Sequence, residues 1–232
     1  MSGDGVAVVV PVHDGAAFLA EALASAVGQS RAPAEIVALD DGSTDDSAAV
    51  AASFPGVRCL PRPHRGVAAA RNAGVVATRA ELIAFLDQDD RWTPDKLAVQ
   101  AAHLEARPDL GFCLARQRLF VEEGAERPSW LRPALLAEDQ PGYVPGTLVV
   151  RREVFDAVGP FDEDRPIASD ADWFLRARDA GVRMEMLPEV LLERRIHRAN
   201  QSAQTLQGTR ELLAAVRASI ARQRGAAGGG HG

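Results

Sequence analysis

Cysteine is scarce: the 232-residue chain carries two. Cys59 and Cys113 both lie inside apolar, strand-like stretches, so we expect reduced core residues rather than a bridge, which suits the cytoplasm. No apolar run is long enough to span a membrane. The opening MSGDGVAVVVPVHDG lacks a basic segment ahead of its apolar run, and Pro11 interrupts that run. It reads as a first strand rather than a secretion signal. Positive charge is not in excess either. A formal net charge of −6 excludes a global basic field of the kind that attracts nucleic acid. Walker A, G-x-G-x-x-G after the first strand and G-x-S-x-G are all missing, which disfavours P-loop phosphoryl transfer, dinucleotide binding and nucleophile-elbow hydrolysis. No Cys/His spacing suits structural zinc.

What is present alternates. VAVVVPV (6–12) is a short continuous apolar run of the sort buried on both faces of a parallel sheet, and EIVALD (35–40), VRCL (57–60) and ELIAFLD (81–87) read as a second, third and fourth strand. Between them lie segments with helical spacing. One carries Phe18, Leu19, Ala22, Leu23, Ala26 and Val27, and another is the Ala-rich 66–78. Ser43 or Thr44 looks like an N-cap, and Thr93-Pro94-Asp95 looks like a capped helix start. Four strand-then-helix repeats predict an α/β fold with a mostly parallel central sheet and helices on both faces. The second half adds a strand at 111–121, a Glu/Pro/Gly-rich loop over 122–145, a short strand and helix at 147–158, an amphipathic helix at 169–181 and strand material at 182–197. A last helix, about 205–224, shows an apolar stripe including Leu212, Leu213, Val216 and Ile220, compatible with packing on the domain or with a homodimer. The 225–232 tail is too small-residue-rich to bury anything. Residues 1–110 read as a ligand-binding half and 111–204 as a half completing the pocket, both on one sheet.

Ligands of open parallel sheets bind beyond the carboxyl ends of the strands. Here those ends are Pro11-Val12-His13-Asp14, Asp40-Asp41-Gly42-Ser43 and Asp87-Gln88-Asp89-Asp90. Carboxylates gathered at one edge repel unless a cation joins them. Oxygen donors suit Mg2+ or Mn2+, with a diphosphate completing the shell, and so imply a nucleotide ligand. The bland alternative is a set of polar turns: Gly42-Ser43 reads as a tight turn and cap, Asp45 and Asp46 as acids at a helix start.

VVVPVHDGAAFLAEALASAVGQS, DDGSTDDS, GVAAARNAG and AFLDQDDRWTPDKL, in that order, resemble family 2 glycosyltransferases of the GT-A fold. GTLVVRREVFDAVGPFDED and SDADWFLRARDAGVRMEMLPEVLLERRIHRANQS resemble the acceptor half of that family, so the likeness spans roughly 6–202. The resemblance implies one Rossmann-like domain and an inverting transfer of a single sugar from a nucleoside-diphosphate sugar, UDP by family frequency, to an acceptor hydroxyl. The acceptor would be a carbohydrate, a lipid-linked molecule or a small molecule. The cytoplasmic location that the cysteines suggest is compatible with peripheral attachment to the inner membrane face through a lipid-linked acceptor.

By the same resemblance, Pro11, Val12, His13, Asp14, Asp40 and Asp41 would hold base and ribose, with Arg71 near the donor. Asp87-Gln88-Asp89 stands where the family has its DxD motif, Asp87 and Gln88 on the donor side and Asp89 as metal ligand. His197, in RRIH, would join the metal or the diphosphate, with Arg194, Arg195 and Arg198 around it. Asp170 stands at the family's base, where Glu-Asp is usual and Ser169-Asp170 is found. A first-turn position would keep Asp170 ionised. Ser169-x-x-Asp172 also reads as a capping box, which makes Asp172 structural by default. Asp172, Trp173 and Trp130 are the acceptor-side candidates, Trp130 by stacking on a ring. The family often has Asn where His64 stands. Two other readings stay open: a nucleotidyltransferase, which the absence of a basic Gly-rich loop after the first strand disfavours, and a non-catalytic sugar-nucleotide-binding scaffold, favoured only by Ser169.

Overall fold

The computed structural model describes residues 3–197 and 205–228. The chain opens β1 (Gly3–Val12), α1 (Ala16–Val27), β2 (Glu35–Asp40), α2 (Ser47–Ala52), β3 (Val57–Pro61), α3 (Val67–Ala77) and β4 (Ala80–Phe85). It continues with β5 (Arg91–Trp92), α4 (Lys96–Ala106), β6 (Phe112–Phe120), α5 (Ala134–Ala137), β7 (Gln140–Pro141), β8 (Val149–Arg151), α6 (Arg152–Val158), α7 (Ser169–Asp179), β9 (Met184–Arg195) and α8 (Thr205–Gly228).

One sheet carries all nine strands in the order β3-β2-β1-β4-β8-β6-β9-β5, with β7 beside β6. β1 to β4 pair in parallel, and β6 pairs in parallel with β9. The short β5, β7 and β8 run against their neighbours. The expected parallel sheet therefore holds for its first half. The second half is joined on through antiparallel β8, which lies between β4 and β6.

Successive residues of β1 feed opposite layers, as the two-residue strand period requires. Val6, Val8, Val10 and Val12 join Leu19, Leu23 and Leu97 in one layer. Val9 joins Ile83, Phe85, Phe161 and Trp173 in the other. In that second layer α3 rides close to the sheet. A Cβ on Gly74 would sit 2.2 Å from Val9 Cγ1, so the helix can approach only where it has no side chain. Trp173 is fully buried, surrounded by Phe112, Phe155, Phe161 and Phe174, and donates to Gly159 O at 3.0 Å. It is a core residue, which removes it from the acceptor pocket.

Several helix starts differ from expectation. α2 begins at Ser47: Ser43 is committed to the β1–α1 turn, where Asp14 N–H donates to Ser43 Oγ at 3.1 Å, and Asp45 bridges turn and helix, accepting Ala16 N–H on Oδ2 at 3.0 Å and Ser47 N–H on Oδ1 at 2.9 Å. α4 begins at Lys96, not at Pro94. The Ser169 capping box does not form. Ser169 is already helical and Ala168 stands at the cap. Asp172 is buried in ion pairs with Arg176 (2.7 Å) and Arg165 (3.7 Å), a structural role that takes it away from the acceptor. α8 runs on to Gly228, so 225–228 are helical rather than tail, and 229–232 lie outside the described residues. Cys59 and Cys113 are both free.

Candidate active site

The carboxyl ends of β1, β2 and β4 lie side by side. The loop after β1 is fixed by Gln88, whose side-chain amide accepts from His13 N–H (2.7 Å) and donates to His13 O (2.9 Å). This clamp occupies the Gln88 side chain, which was expected to face the donor. A Cβ on Gly15 would collide with Gln88 Cδ at 2.3 Å, so the clamp needs glycine there. Asp14, held at φ 46, accepts Thr44 N–H at 2.7 Å. Pro11 and Val12 have buried side chains, so only their main chain can meet a ligand, and Val12 O already accepts Asp41 N–H at 2.7 Å. His13 and Asp14 are exposed.

Asp40 and Asp41 are also turned inward. Asp40 Oδ1 accepts Ser43 N–H at 3.0 Å. Asp41 accepts Arg65 N–H (3.0 Å) and Gly66 N–H (2.7 Å) and lies 3.0 Å from His64 Nδ1. Both carboxylates brace the crevice wall in this arrangement. The group presented there is the stacked ring pair His13–His64, centroids 4.1 Å apart. His64 is a wall residue that sequence reasoning noted only as a departure from the family pattern.

Below this wall lies a charged floor. Arg71 is 6% exposed and donates to Asp87 Oδ1 at 2.7 Å. It is no solvent-facing helix residue. Its Nε has no partner among the described residues. Neighbouring Asn72 accepts Phe161 N–H (2.8 Å) and donates to Phe161 O (2.9 Å), tying α3 to the loop before α7. Asp89 Oδ2 lies 2.9 Å from His197 Nε2, which brings together the two expected metal ligands from 108 residues apart. Asp90 is buried and accepts Arg195 N–H at 2.9 Å. Burial first, then the charges of Asp89 and Asp87, push its pKa well above the usual carboxylate range.

Arg195 is not a free cation for a diphosphate. Its guanidinium is buried between the rings of Phe18 (4.9 Å) and Phe120 (4.8 Å). It pairs with Glu21 and Glu122 and donates to Asp89 O at 2.8 Å. It thereby fastens the end of β9 to the Asp87–Asp90 loop. Glu21 also pairs with Arg91. A lone acid on the outer face of α1 gave no sign of this duty. Arg198 lies outside the described residues.

Asp170 is half-buried in the first turn of α7. Desolvation raises its pKa, which corrects the expectation of a lowered one. Arg71, the Ala171 amide and Arg194 partly offset the rise, and Asp87 adds to it. Asp170, Arg71, Asp87 and Arg194 thus share one electrostatic environment. Trp130 stands apart, about half exposed in a turn of the 122–145 loop.

Among the described residues, no three His, Cys, Asp or Glu side chains gather closely enough to hold a metal unaided. Asp89 and His197 supply one oxygen and one nitrogen, a donor pair that fits a divalent ion whose remaining positions go to ligand oxygens.

The model of glycosyl transferase family 2 matches residues 7–159. The chain belongs to that family. Among family 2 relatives, an uncharacterized glycosyltransferase of Rickettsia prowazekii is 28% identical over 212 residues, covering 84% of this chain and 64% of its own length. The O-antigen biosynthesis protein RfbC of Myxococcus xanthus is 32% identical over 202 residues, covering 82% of this chain and 16% of its own. The chain thus spans less than two thirds of either. Staphylococcus aureus TarS 1–349 in complex with UDP-GlcNAc superposes with a TM-score of 0.75 at 18% identity, covering 94% of this chain and 66% of TarS 1–349. The mannosyltransferase PcManGT of Pyrobaculum calidifontis, in complex with GDP-Man and Mn2+, gives 0.71 at 20% identity, covering 93% and 64%. Both likenesses show that this chain shares the fold of those two proteins. No helix among the described residues is long and apolar enough to cross a membrane.

Proposed function

We propose that this chain transfers one sugar from a nucleoside-diphosphate sugar to an acceptor hydroxyl with inversion, Asp170 acting as the base. The observation that carries the reading is the convergence of Asp170, Arg71 and Asp87 in one environment, beside the Asp89–His197 pair. Asp170 takes the acceptor O–H proton as that oxygen bonds the anomeric carbon. The bond from that carbon to the diphosphate breaks on the opposite face, and its electron pair leaves with the nucleoside diphosphate. Arg71, with its unpartnered Nε, and Arg194 lend positive charge to the floor. The His13–His64 stack offers flat rings against a nucleobase. Asp89 and His197 would hold Mn2+ or Mg2+, which when bound neutralises charge on the leaving diphosphate. The Mn2+ of the mannosyltransferase complex supports a metal of this type.

UDP is the favoured nucleotide, supported by TarS complexes with UDP and UDP-GlcNAc, while the GDP-Man complex makes GDP the natural control. Calorimetry with UDP, GDP and dTDP, with and without Mn2+, on the wild type and Asp89→Ala, tests the site. One nucleotide is expected to bind in a metal-dependent way that Asp89→Ala loses. Nucleotide binding without turnover of any donor sugar would favour the scaffold reading. Release of pyrophosphate in place of nucleoside diphosphate would favour a nucleotidyltransferase.

A further inference from the structure

α8 presents two different faces. Ala215 and Ser219 are buried against the body. Glu211, the only acid of the helix, turns inward and accepts Ile167 N–H (2.9 Å) and Ala168 N–H (3.0 Å), just ahead of Asp170. Arg222 is drawn to the same side by Asp179 at 2.9 Å. The adjoining arc is apolar and exposed: Leu212, Leu213, Val216 and Ile220 show 45%, 51%, 37% and 44% of their surface. At ~100° per residue these four span roughly a quarter of the helix circumference. Bordering them are Arg210, Arg217 and Arg224, seven residues apart and all exposed. None of the three has an ion-pair partner among the described residues. The edge is thus purely cationic, on a chain whose net charge is −6.

We propose that this face of α8 docks on an anionic lipid surface, the four apolar side chains entering the headgroup boundary and the three arginines meeting lipid phosphates. Apolar residues flanked by arginines on an otherwise polar helix are the pattern of an in-plane interfacial helix. The charges decide against a second copy. An antiparallel two-fold pair would set like flank against like flank, arginine facing arginine, and a parallel pair would set the arginines against the opposite flank, where the helix's one acid, Glu211, is already engaged by the Ile167 and Ala168 amides. A lipid phosphate layer supplies the missing negative charge. The inference is independent of whether the active site turns over a sugar donor.

Flotation with phosphatidylcholine vesicles, with and without phosphatidylglycerol, tests it. The protein is expected to float with the anionic vesicles and not the neutral ones, and added salt should weaken binding. Replacing Arg210, Arg217 and Arg224 by Gln should lower the partition coefficient about a hundredfold, at roughly fivefold per arginine. Leu213→Ser with Ile220→Ser should lower it too, both variants keeping the wild-type melting curve because the positions are exposed. No binding to anionic vesicles, or equal binding to neutral ones, overturns the proposal. So does a dimer in sedimentation equilibrium that the Leu213→Ser/Ile220→Ser variant abolishes, since the face would then belong to a second copy.

Discussion

Asp170 sits where helix amides favour a carboxylate, yet the protein around it removes more water than those amides repay. Its folded pKa is raised. The native state therefore binds more protons than the unfolded chain in the window between the ordinary carboxylate value and the raised one. Stability falls as pH rises through that window, and the penalty is complete above it. Asp170→Asn is expected to lower kcat by about 10²- to 10⁴-fold while leaving Tm unchanged or higher. Steady-state rates and thermal melts on the same samples check both. A purely structural Asp170 would show the opposite pairing, with Tm lost and kcat kept. His197→Ala should weaken Mn2+-dependent nucleotide binding by about tenfold or more, leaving metal-independent binding alone. Titration of Mn2+ at fixed nucleotide reads this directly. The acidic cluster itself was legible in the sequence, because Asp87, Asp89 and Asp90 are adjacent. Their partners were not. Arg71, Arg195 and His197 lie 16 to 108 residues away, and only the fold decides which carboxylate each one meets.

Elements were easier to read than their ends. β1, β2 and β4 are mostly apolar runs, and burial on both faces leaves such runs few alternatives, whereas β3, at the edge of the sheet, carries Arg58 and is only partly buried. The start of α2 was misplaced because Ser43 carries capping chemistry yet spends it on the neighbouring turn, while Asp45 divides its carboxylate between that turn and Ser47 N–H. Sequence shows that a side chain can bind an amide, not which amide comes within reach. The close approach of α3 to the sheet was equally hidden, since Gly74 in an Ala-rich helix looks unremarkable. Gly74→Ala is expected to lower stability by about 1–3 kcal/mol, in spite of the better helix propensity of alanine, because the new Cβ meets Val9. Urea unfolding, with an unchanged m-value, measures it.

On the scale of the whole molecule, the buried side chain of Lys96 sets a pH dependence. It lies over the Trp92 ring at 4.5 Å and donates to Gln100 Oε1, and burial lowers its pKa to about 7. In the unfolded chain it returns to about 10.4. Between those values the unfolded state binds the extra proton, so stability rises with pH across the interval. Lys96→Met should flatten that slope in thermal melts taken from neutral to alkaline pH. A wild-type slope surviving in the variant would assign it to other groups.

Lys96 is also the only lysine in the chain. Every other basic side chain apart from the five histidines is an arginine, so the native surface offers no lysine amine to acylating reagents. Lysine acylation at this residue would then proceed through opening of the core, and its rate, followed by mass spectrometry, becomes a clock for how often the centre of the molecule comes apart.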